Sequence, residues 1–131
     1  MTDTSGATAV EFALVGPLFI FLLIGVVVYG GWFWMAQGVQ HLSAEGARAA
    51  IAGLDAAERD TLARAAITEG AAGTAALEPT DLTVDVASDA RSIRVTVSYD
   101  AEGHPLMALS RLVPSPPRTI TRVSIIQLGG Y

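Results

Sequence analysis

Residues 6–35 read GATAVEFALVGPLFIFLLIGVVVYGGWFWM, and the reading of Glu11 within that run decides what kind of protein this is. From Phe12 to Ala44 there is no Asp, Glu, Lys or Arg. The 24 residues from Phe12 to Met35 make a helix of about 36 Å, enough to cross a hydrocarbon layer of about 30 Å with some tilt. Tyr29, Trp32 and Trp34 fall at its C-terminal end, where an aromatic belt belongs at a membrane–water interface. The run is predicted to be a transmembrane helix. Pro17, after Gly16, removes one backbone hydrogen bond inside it, which predicts a kink or local melting near residues 15–18. Glu11 is then either a helix-start charge at the membrane surface or a carboxylate meant to enter the bilayer.

Working outward, the rest of the chain is one small domain's worth of sequence. The 131 residues carry a net charge of −5, the hydrophobic fraction is 51%, and mean hydropathy is positive. All eight basic residues are Arg and they are scattered, so the basic stripe that nucleic acid requires is missing and nucleic acid is not expected as a partner. With no Cys, neither a disulfide framework nor a thiolate metal site is possible.

Past the membrane, GVQHLSAEGARAAIAG (38–53) continues the helix as a slim, small-residue rod on which another helix can pack closely, and Gly53 gives a stop. Asp55 reads as the N-cap of a second helix, AAERDTLARAAITEG, with Glu58 completing a capping-box-like pattern. Leu62, Ala65, Ala66 and Glu69 are expected to share its packing side. After a loop over 71–80 the period changes from helical to two. Leu82, Val84 and Val86 alternate with polar residues, as do Ile93, Val95, Val97 and Tyr99, with SDAR (88–91) as the hairpin connection. PLMALSRLV (105–113) is a short helical or extended packing segment, PSPP (114–117) an open loop, RTITRVSIIQL a third strand, and GGY a fraying tail. The expected class is α+β: a long N-terminal transmembrane helix, a short amphipathic helix and a small antiparallel sheet of about three strands.

A secretory signal fits the N-terminus poorly. Its n-region carries Asp3 and no Arg or Lys, the apolar run is too long, and cleavage after Ala36 would put Trp34 at the −3 position. What does fit is Gly6-Ala7-Thr8-Ala9-Val10-Glu11-Phe12, which resembles the G|xxxxE[YF] processing motif of the type IV pilin superfamily. ATAVEFALVGPLFIFLLIG and HLSAEGARAA together resemble the TadE-like pseudopilins of tight-adherence (Flp-type) pilus systems. The resemblance covers roughly residues 6 to 52, and the β region only in outline.

That resemblance implies a leader over residues 1–6, a transmembrane and stalk helix over 7–53, and a small extracytoplasmic α+β domain over 54–131. It implies cleavage between Gly6 and Ala7 by prepilin peptidase, and recognition and assembly through Glu11 and Phe12. Implied partners are the peptidase, other pilins and an inner-membrane assembly platform, with membrane lipid around the helix. Cleavage would create an α-amine on Ala7, one helical turn from Glu11, and pairing with it offsets part of the few kcal/mol that an ionised carboxylate costs in a bilayer. The leader MTDTSG lacks the basic residues usual before the family's glycine, while Arg48, Arg59 and Arg64 follow the helix. Charge alone therefore favours the opposite orientation. A cytoplasmic N-terminus and an outer C-terminal domain follow from the side on which the peptidase acts, and a longer natural leader would reconcile the two.

Nothing in the sequence points to catalysis, a cofactor or a metal. His41 and His104 have no ligand partner at helical spacing. Asp81, Asp85 and Asp89 recur every fourth residue but lack the closing Glu of an EF-hand loop, and Asp81 and Asp85 are expected on a solvated strand face. The competing reading is an unprocessed bitopic membrane protein whose outer domain is an accessory binding module of an envelope complex. A tethered enzyme is disfavoured because no convergent polar site is evident.

Overall fold

The computed structural model describes residues 4–129. The first half of the expected leader (Met1, Thr2, Asp3) and the last two residues of the expected tail (Gly130, Tyr131) lie outside the described residues. The elements are α1 (Thr4–Ala50), α2 (Ala56–Ala72), a 3₁₀ turn (Pro79–Asp81), β1 (Leu82–Ser88), β2 (Ser92–Asp100), α3 (Leu106–Leu109) and β3 (Thr119–Gln127). The class is α+β, with a long apolar helix, a shorter helix and one antiparallel sheet in the order β1-β2-β3.

The 47-residue α1 is long and apolar enough to cross a membrane. It stays helical through Pro17, with no melted turn at residues 15–18. Between Val10 and Val27 its large apolar side chains are exposed on every face, so this part has no protein core of its own. The chain divides into two compact units, one holding the described residues up to Trp32 with His104–Pro116, the other Phe33–Gly103 with the described residues from Pro117 onward. In the first unit, the α3 segment lies against the helix. The Tyr29 hydroxyl donates to the Pro114 carbonyl at 2.8 Å, and Gly31 faces the Leu106 side chain so closely that a Cβ there would require Leu106 to shift.

In the second unit, one face of α1 is buried at Met35, Ala36, Val39, Leu42, Ser43, Gly46, Ala47 and Ala50. That three-and-four spacing is the stripe an amphipathic helix lays on a core. The small residues expected to receive another helix are used by this chain's own second helix. A Cβ at Gly46 would lie 2.7 Å from Ile67 Cδ1 and 3.4 Å from the Ala63 carbonyl, so only glycine admits α2 at that distance. Helix α1 ends at Ala50, and residues 51–53 tighten into i→i+3 bonds, Gly53 N–H to the Ala50 carbonyl being 3.1 Å.

Asp55 caps α2 as expected, accepting from the Glu58 N–H at 2.8 Å. The return bond differs from a capping box, because Glu58 Oε2 accepts from Leu54, one residue before the cap. The packing face of α2 also differs from the expected one. Ala63, Ile67 and Ala71 are buried, with Leu62 and Ala66 half-buried, while Ala65 and Glu69 are exposed. The expected face was centred one residue away because no bulky residue but Ile67 marks the stripe in so alanine-rich a helix.

The strands follow the period-two pattern closely. Ile93, Val95, Val97 and Tyr99 are buried on β2, the central strand, and Ile120 joins them from β3. Burying each such side chain contributes about 1.5–3 kcal/mol. Val84 pairs with Val97 on one side, and Val97 with Arg122 on the other. Residues 89–91 connect β1 to β2, and the Asp89 carboxylate accepts from both the Arg91 and Ser92 N–H groups at 2.7 Å. Those backbone bonds hold its pKa below the usual carboxylate value. One polar node crosses the core: buried Ser43 bonds the Ser124 hydroxyl at 2.8 Å and the Gln40 carbonyl at 2.9 Å. All its polar atoms are satisfied, so it fixes β3 against α1 without a desolvation penalty left open.

Candidate processing and assembly site

Gly6, Ala7, Glu11, Phe12 and Pro17 all lie on the exposed N-terminal part of α1. The first turn is built of TSGAT (4–8), weak helix formers apart from Ala7, with Thr8 Oγ1 donating to the Thr4 carbonyl at 2.9 Å. A helix end of this composition opens at low cost. Nothing lies within 4 Å of a Cβ placed on Gly6. The glycine is therefore not demanded by packing.

Ala7 and Glu11 stand four residues apart, on one face and one turn from each other. The Glu11 carboxylate has no hydrogen-bonding or ionic partner among the described residues. Phe12 lies about 100° further round the helix, 76% exposed, its ring beside Gly16. Pro17 follows on the exposed surface. The structure thus brings Ala7 and Glu11 together, with Phe12 alongside, and leaves them open to neighbours rather than enclosing them in a cleft.

Residues 6–48 match the model of the TadE-like protein family. The matched TadE-like segment begins at Gly6 and runs through Glu11, Phe12 and the whole apolar stretch to Arg48. No curated protein and no solved structure matches the chain. The α2 helix and the sheet lie outside the TadE-like segment.

The other titratable candidates are occupied locally. His104 Nδ1 accepts from the Leu106 N–H at 3.3 Å, and His41 sits 3.5 Å from Glu45 on the helix surface. Asp81 lies in the 3₁₀ turn before β1 rather than on the strand, Asp85 is exposed on β1, and Asp89 closes the hairpin. Among the described residues there is no group of three or more metal-binding side chains. Sequence reasoning missed the roles of Arg59 and Arg64, which it weighed only as topological charges. Their side chains reach from α2 to Ser88 and to the Val84 carbonyl, contacts that no sequence spacing announces.

Proposed function

We propose that this chain is a minor pilin or pseudopilin of a tight-adherence pilus apparatus, anchored in the inner membrane by α1 with its α+β domain outside. The observation that carries the reading is the TadE-like match beginning at Gly6 and covering Glu11 and the apolar run. Prepilin peptidase cuts between Gly6 and Ala7, and the new ammonium on Ala7 pairs with the Glu11 carboxylate, which has no partner among the described residues, in the same subunit or the next. An ammonium–carboxylate contact in a low-dielectric surround is directional, and it exists only after processing. Processing thereby converts a lone helix in lipid into one with an oriented polar contact to offer neighbouring subunits. Apolar side chains exposed on every face of residues 10–27 support a lipid or helix-bundle environment for this segment.

The test is intact mass and N-terminal sequencing of protein recovered from membranes, with and without a prepilin peptidase. The expected mature chain begins at Ala7, and Gly6→Leu leaves the leader attached while the domain stays folded, because position 6 contacts nothing. A chain that keeps residues 1–6 with the peptidase active rejects the reading and leaves a membrane-tethered module.

A further inference from the structure

The three-stranded sheet has two edges, and the molecule treats them differently. The Asp89 N–H donates to the Ser92 carbonyl, so odd-numbered residues of β1 face β2 and even-numbered ones point outward. That outer side is guarded. The Leu82 N–H is taken by the Pro79 carbonyl, and Arg64 Nη1 donates to the Val84 carbonyl at 2.9 Å. Arg59 Nη1 reaches Ser88 Oγ at 3.2 Å. Two outward backbone groups of β1, the Leu82 N–H and the Val84 carbonyl, are thus already bonded, and α2 packs beside this strand.

On β3 the parity is reversed. The Leu128 N–H donates to Arg91 and the Ala101 N–H to Arg118, so even-numbered residues face β2. Thr121, Val123, Ile125 and Gln127 present their backbone groups outward. Arg122 Nη1 takes the Thr121 carbonyl at 3.0 Å. From Val123 to Gln127, nothing among the described residues bonds the outward N–H and C=O groups. The side chains there are apolar and open, Val123 42% and Ile125 48% exposed.

Beside this edge runs a slot of about 230 Å³ lined by Ala44, Ala47, Arg48, Ser124, Ile125 and Ile126. A fourth strand at the usual spacing of about 4.8 Å would set alternate side chains over the small residues Ala44 and Ala47. Arginines stand near this edge as well. Arg48 lines the slot, Arg94 pairs in register with Ile125, and Arg122 lies on β3 itself. None of the three has an ion-pair partner among the described residues. Arg48 also lines a second pocket with Glu45 and Glu69, so the positive charge left unbalanced beside this edge is that of Arg94 and Arg122.

We propose that the open edge of β3 receives an extended, acidic segment of a partner protein as a fourth strand, with apolar side chains entering the slot and carboxylates, on the opposite face, meeting Arg94. Backbone pairing supplies the affinity, and the slot and arginines supply the selectivity. A second copy is the poorer occupant, because pairing β3 with β3 gathers the arginines of both copies at one interface. The site does not depend on processing at Gly6.

The experiment uses the full chain in phosphatidylcholine nanodiscs and the nine-residue peptide DLTVDVASD (residues 81–89), whose acid–apolar alternation has the required chemistry. Hydrogen exchange is expected to slow at the Val123, Ile125 and Gln127 amides when the peptide is added, and Arg94→Glu to weaken binding about tenfold. A peptide with its three Asp replaced by Lys is expected not to bind. Ile125→Pro removes only an outward N–H and leaves the ladder to β2, checked by unchanged slow exchange at even-numbered β3 amides, yet it is expected to abolish binding. No peptide binding, or binding that survives Ile125→Pro by exchange with β1, overturns the proposal. So does protection of the edge amides by self-association without peptide.

Discussion

The two ends of α1 are one continuous helix with opposite solutions to the same problem. Around residues 10–27 the apolar side chains point in all directions and meet no core, whereas past Trp32 a single stripe from Met35 to Ala50 is buried under the sheet and α2. Apolar content alone does not separate them, since the buried stripe is built largely from Ala, Gly, Ser and Val. What differs is size. The outer half carries Phe, Leu and Ile, which offer surface to lipid or to neighbouring helices. The inner half carries small residues, which let other elements of the same chain approach closely.

Glycines make the sharpest break in that comparison. Gly46→Leu drives a side chain into Ile67 and the Ala63 carbonyl and is expected to destabilise the domain by about 1–3 kcal/mol or more. Gly25→Leu, where nothing lies within 4 Å, is expected to leave domain stability unchanged. Urea titration of both variants in micelles, followed by Tyr99 environment or amide exchange, separates them. Equal stability would mean that α2 does not pack on α1 through Gly46.

A smaller effect lies at the junction where the helix gives way to the domain. Asp55→Ala removes the acceptor for the Glu58 N–H and is expected to cost about 1 kcal/mol. The same substitution should leave insertion of α1 in the membrane untouched. A loss of membrane retention on Asp55→Ala would show that the helix and the domain are not energetically separable.

How much of this was legible in the sequence follows from the same contrast of size and period. The apolar run, the Asp55 cap and the alternating strands announce themselves because each rests on local chemistry, a period or a capping side chain. The family resemblance was legible too, because the match at 6–48 covers the same residues that carried it. Three things were not. The face of α2 went unread because alanines carry little periodic contrast, so tertiary packing through Ile67 decided it. The polar node of Ser43 and Ser124 joins residues 81 apart. The guarding of β1 by Arg59 and Arg64 depends on where α2 comes to rest, which no spacing along the chain encodes.

The least effect expected is a titration confined to the domain. Asp89 accepts two backbone N–H groups at the β1–β2 connection, and these bonds lower its pKa in the folded state. A group whose folded pKa lies below its unfolded value stabilises the fold above the unfolded pKa, which for Asp is about 3.9. That contribution is lost as pH falls further, through the folded value. The hairpin should therefore loosen only below about pH 4, seen as faster exchange at the Arg91 and Ser92 amides, with no change along residues 10–27. Because the carboxylate is exposed, water and salt screen the effect and keep it small. Asp89→Asn keeps an acceptor oxygen but removes the titration, so its hairpin should exchange at a rate independent of pH once intrinsic exchange is divided out. A variant that still loosens below pH 4 would assign the acid response to another carboxylate, and would leave the domain's acid sensitivity unconnected to its first turn.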